Sequence, residues 1–111
     1  MDTSATVAAT PTVGSTARYL RSKNAGPFWI TIDAFCLSVE DTRAIAAAFE
    51  RERDRIALMF SVDPDDVLIY CLEDIMVAKV SLPRVPVEGS PDERDMHGGQ
   101  AYVSLLGIEL R

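Results

Sequence analysis

FWITIDAF, residues 28–35, decides how the rest of the chain is read. Successive side chains of a strand point to opposite sides, so Phe28, Ile30, Ile32 and Ala34 share one face while Trp29, Thr31, Asp33 and Phe35 share the other. The first set is wholly apolar and the second is mixed, which predicts a strand covered at least in part on both faces. Pro27 carries no amide hydrogen and marks where the strand can begin. Upstream of it, Thr16 is expected to cap a short helix bearing Tyr19 and Leu20, with Arg18, Arg21 and Lys23 toward its C-terminal end and Asn24 and Gly26 as stop signals. Residues 1–15 hold one charge and show no periodicity, so they are expected to form a flexible arm ahead of a single domain spanning 16–111.

Downstream, Ser38 followed by Asp41 resembles a capping box and opens a helical run to Phe60, in which Ile45, Phe49, Ile56 and Phe60 recur at helical spacing. The run can be one helix or break into two near its middle. Within ERERDR, Glu50 can pair with Arg53 and Glu52 with Arg55 on an exposed face. Val62-Asp63-Pro64-Asp65-Asp66 reads as a turn whose aspartates bond nearby amides. The continuous apolar run Val67 to Leu72 reads as a central strand, and it forms an antiparallel hairpin with the alternating segment Ile75 to Leu82. A long connection follows from Pro83 to Gly99, and Ala101 to Leu110 is expected to close the sheet as a last strand. The predicted architecture is a small α+β domain, mainly an antiparallel sheet of about four strands packed against one or two helices.

At 111 residues the chain fits one core, and 48% hydrophobic against 25% charged residues is enough for that core to be ordered. The formal net charge of -6, with arginines and lysines scattered along the chain, argues against nucleic acid and against an anionic membrane surface as partners. No apolar run is long enough to span a bilayer, and the N-terminal stretch lacks the pattern of a signal peptide, so a cytoplasmic location is expected. Cys36 and Cys71 lie in apolar segments with neither redox nor zinc spacing and are read as reduced core thiols.

Two segments offer chemistry. In RSKNAGP, residues 21–27, Ser22, Lys23, Asn24 and Gly26 join a cation, a side-chain amide and a permissive turn, which can present donors to a carboxylate or phosphate or can simply end a helix. In RDMHGGQ, residues 94–100, His97 has an ordinary pKa near neutrality and Gly98, Gly99 and Gln100 allow close approach of a ligand to the main chain, although a lone loop histidine commonly does no more than face solvent. Lys23 and His97 are the catalytic candidates; the others are candidates for binding a ligand or a partner. Asp33, on a largely apolar strand, reads either as a base with a raised pKa or as a strand-end residue bonded to backbone amides. A lone histidine and an aspartate cluster without the calcium-loop pattern predict no metal, and no cofactor is expected.

SKNAGPF, with the alternating strand after it, the Asp-Pro-Asp-Asp-Val turn, AKVSLPR, the Gly99-Gln100 pair and the final LLGIEL, resembles a family of roughly 100-residue proteins catalogued as domain of unknown function 4387. The likeness covers about residues 16 to 110. Members of that family accompany, or are fused to, larger proteins similar to the acyclic terpene utilisation protein AtuA. The resemblance therefore implies a small subunit of a heteromeric enzyme with an AtuA-like large subunit, a hydratase, dehydratase or related lyase acting on a carboxylic acid or acyl thioester in catabolism. It supplies no catalytic residues, and it implies Tyr in many relatives where this chain has His97, which weighs against an obligatory proton carrier there. A stand-alone binder or enzyme for carboxylates or phosphates, and a purely architectural subunit, are the competing expectations.

Overall fold

The computed structural model describes residues 10–84 and 101–111. Four antiparallel strands form one sheet in the order β1-β2-β4-β3, with β1 Tyr19–Asn24, β2 Trp29–Phe35, β3 Leu68–Leu72 and β4 Val77–Pro83. Short α1, Val13–Thr16, precedes β1; α2, Val39–Arg51, and α3, Arg53–Phe60, lie between β2 and β3. The α+β expectation holds, with one of the four strands supplied by a different segment than the sequence indicated.

The alternation of β2 does what its pattern demands. Ile30, Ile32 and Ala34 are buried on the inner face beside Ala78, Val80 and Leu82 of β4, and this layer joins Ile45, Phe49 and Ile56 from the helices in one core. Ser38 caps α2 by accepting the amide of Asp41 at 3.0 Å. The run to Phe60 does break, at Glu52, and Phe60 is only partly buried. The Glu50–Arg53 and Glu52–Arg55 pairs form on the exposed side at 2.6 and 3.6 Å. Asp63 accepts the amide of Asp65 at 2.8 Å, as the turn reading required.

Four expectations are corrected. The segment read as a helix from Thr16 is β1, because its backbone groups are taken up by β2 from Tyr19↔Phe35 to Asn24↔Ile30, and pairing to a strong neighbour overrides the modest helix preference of Arg, Leu and Lys. The run ending at Leu72 is an edge strand, not a central one; it pairs only with β4 among the described residues, and Leu68, Tyr70 and Cys71 stay exposed. Cys71 is therefore a surface thiol, whereas Cys36 is buried as expected and both are free. The C-terminal segment is not a strand of the sheet: Ala101–Leu105 is a 3₁₀ turn, and Glu109 makes one isolated bridge to Thr12.

That bridge also brings residues of the expected arm into the fold. Val13 is wholly buried, its amide donates to the carbonyl of Ile108 at 2.8 Å, and Gly14 donates to that of Leu106 at 2.9 Å. A Cβ at Gly14 would stand 3.1 Å from the Leu106 carbonyl oxygen, a tight contact that would require the C-terminal segment to give by a few tenths of an ångström, so glycine suits the close passage. The packed domain thus begins ahead of residue 16, while residues 1–9 lie outside the described residues.

Candidate functional site

The two sequence segments singled out for chemistry fare differently. His97, Gly98, Gly99 and Gln100 lie outside the described residues. The other segment is the second half of β1 and the turn into β2. Gly26 holds a φ of 78° in that turn, where Ala25 donates its amide to the carbonyl of Trp29 at 2.8 Å. The glycine thus reverses a hairpin instead of ending a helix. Ser22 faces inward and is buried; its Oγ accepts the amide of Tyr102 at 3.3 Å and ties the Ala101–Leu105 turn to the sheet. Asn24 alternates to the same side at the strand's end and is exposed, and Lys23 projects from the opposite, outer face. Ser22 and Lys23 therefore cannot serve one ligand together.

Lys23 is instead part of an arrangement on the outer face. Register puts Arg21, Asp33, Lys79 and Tyr70 in one row across β1, β2, β4 and β3, and Lys23, Thr31, Ser81 and Leu68 in the next. Arg21 Nη2 donates to Asp33 Oδ2 at 3.2 Å, and Lys79 Nζ stands 3.5 Å from Oδ1 in an ion-pair contact. Asp33 is neither a strand-end cap nor an isolated base. It is 4% exposed in mid-strand and held between two cations whose side chains reach solvent. Burying a carboxylate is tolerable only with such partners. Both Asp33 Oδ1 and the hydroxyl of Thr31 are buried without a hydrogen-bond partner among the described residues.

Aromatic rings border the polar band. Tyr19 stacks on Phe35 with centroids 4.6 Å apart and planes 16° from parallel. The Arg21 guanidinium carbon sits 5.0 Å from the Phe35 centroid and that of Arg18 5.9 Å from Tyr19, so cations bracket the stacked pair. Trp29 and Tyr70 stand 38% and 42% exposed at other borders of the band, and no described element packs over this face. Arg21, Lys23 and Lys79 against Asp33 leave a cationic surplus on a chain whose net charge is -6. Such a surface attracts anions, and its hydroxyls and rings can orient one.

The rest of the titratable chemistry lies elsewhere. Burial pushes the Cys36 thiol up, leaving it protonated and unreactive at neutral pH. Arg43, bonded twice to Glu73 at 2.8 and 3.0 Å, holds that carboxyl below its ordinary value at the far edge of the sheet. Sequence reasoning missed Arg21, Lys79 and Ser81 as partners of Lys23 and Asp33. The usable signal was that IDA in β2 and AKV in β4 carry opposite charges at the same phase of two alternating strands.

A family model described as Domain of unknown function (DUF4387) matches residues 13–109, beginning at Val13, the first buried one among the described residues. No curated protein and no solved structure matches the chain.

Proposed function

The chain belongs to the DUF4387 family, a domain of unknown function, and we propose that it serves as the small, non-autonomous subunit of a heteromeric enzyme whose large subunit is an AtuA-like protein. The observation that carries this reading is the outer face of the sheet: exposed Tyr19, Trp29, Leu68 and Tyr70 surround a charged band with no layer above it among the described residues. A sheet face that a monomer leaves to water is ordinarily polar throughout, and large rings beside arginine are what protein interfaces concentrate. Docking on this face would bring Lys23, Arg21 and Lys79 to the partner's surface, where they complete a site for an anionic substrate. The reaction class, hydration or dehydration of a carboxylic acid or its thioester, follows the resemblance alone.

The test is co-expression of the tagged chain with the AtuA-like protein of its own source, followed by size-exclusion chromatography. One complex is expected, and Trp29→Asp with Tyr70→Asp should dissociate it. Recovery of the chain only as a free species, or a complex indifferent to both changes, contradicts the proposal. A second reading, a stand-alone carboxylate binder, draws on the cationic surplus and the unpartnered Thr31 hydroxyl. It would be favoured if carboxylates raised the melting temperature of the isolated chain.

A further inference from the structure

The two edges of the sheet are not equally protected. Edge β1 carries Arg21 and Lys23, and the Ala101–Leu105 turn is bonded to it through Ser22. Edge β3 reads Leu68-Ile69-Tyr70-Cys71-Leu72, with no charge, no proline and no glycine, and no described strand pairs with its outer side. Native sheets usually blunt an edge with lysine, proline or a covering element, because unpaired amides and carbonyls recruit another strand. None of these devices is present on β3 among the described residues. Beyond its end lies an open depression of about 500 Å³ lined by Cys71, Leu72, Glu73, Asp74 and Ile75, large enough to receive a side chain of an incoming segment.

Charge identifies the occupant. Asp63, Asp65 and Asp66 precede the strand and Glu73 and Asp74 follow it; among the described residues only Glu73 of these has an ion-pair partner, Arg43. A second copy of this chain is disfavoured. Antiparallel pairing about Tyr70 would set Asp66 of each copy against Asp74 of the other, and parallel pairing would set each acidic end beside its twin. A segment with cations at its ends meets the opposite situation at both.

We propose that the free edge of β3 is a strand-addition site for an extended segment of a partner protein, apolar in its middle and carrying lysine or arginine at both ends. Main-chain hydrogen bonds hold the segment, alternate side chains meet Tyr70 and the depression, and the flanking cations set register against Asp66 and Asp74. This edge adjoins the outer face and shares Tyr70 with it, but strand addition runs through the β3 main chain and does not require docking on that face.

The experiment uses the isotope-labelled full chain and two synthetic peptides, Lys-Lys-Val-Thr-Val-Tyr-Val-Thr-Lys-Lys and the same core flanked by glutamates. Amide resonances of Leu68–Leu72 should shift with the basic peptide, which binds at least about tenfold more tightly than the acidic one at low salt and weakens as salt is added. The exposed changes Asp66→Lys and Asp74→Lys together should reverse the preference. Equal affinity for the two peptides, shifts centred on Tyr19–Asn24, or self-association through β3 in sedimentation would each overturn the proposal.

Discussion

On the inner face of the sheet Ile30, Ile32, Ala34, Ala78, Val80 and Leu82 are all buried in the core; one residue along in each strand, the outer face carries Trp29, Thr31, Asp33, Lys79 and Ser81. The inner set asks only for apolar groups of the right size. The outer set keeps a buried carboxylate between cations and a buried hydroxyl without a partner, both of which cost stability that an apolar residue would not. Where a fold retains groups that stability does not call for, recognition is the economical reason. The same strands thus supply the core from one set of alternate positions and the proposed docking surface from the other.

The largest effect should come from the inner face. Ile32→Ala removes a wholly buried side chain and should lower unfolding free energy by about 2 to 5 kcal/mol in denaturant titration. On the outer face Trp29→Ala should cost below about 1 kcal/mol in the same titration while weakening association with the proposed large subunit. Comparable losses at both positions would erase the distinction between the faces.

Asp33→Asn comes next. Arg21 and Lys79 are partly solvated, so losing their shared carboxylate should cost about 1 to 2 kcal/mol, between an exposed and a fully buried pair. It should also tighten binding of carboxylate anions, since the band then loses its own negative charge; weaker anion binding would count against the band as an anion site. Thr31→Val keeps the shape and removes the unpartnered hydroxyl, so thermal unfolding should show stability unchanged or raised by about 1 kcal/mol. A clear loss would mean the hydroxyl is structural.

The smallest effect is a control away from the band. Glu73 is held below its ordinary 4.5 by Arg43, so its contribution is present above that pH and is lost as pH falls through the lower folded value. Stability of the chain and of Arg43→Ala, measured against pH, should differ at neutrality and converge in acid. A gap independent of pH would show that packing, not charge, links the two residues.

Legibility followed the same division. β2, β4 and the helical stripe could be read because each repeats a pattern of period two or near 3.6, β3 because it is an apolar run of strand length, and the cap at Ser38 from the aspartate three residues on. β1 could not: YLRSKN alternates no more clearly than it winds, and only its ladder to β2 decides. LLGIEL alternates well yet packs through Ile108 with a single bridge, because the residues meeting it, Pro11 to Gly14, lie nearly the whole chain away. The band was half legible, since Lys23 and Asp33 were singled out but their neighbours come from register, which no single segment encodes.

Oxidative footprinting of the chain, alone and mixed with the AtuA-like protein proposed as its partner, bears most directly on the outer face as the docking surface. Tyr19, Trp29 and Tyr70 should lose reactivity in the complex while Leu58, 81% exposed on α3, keeps it. Protection of Leu58 with the three rings still reactive would contradict the assignment.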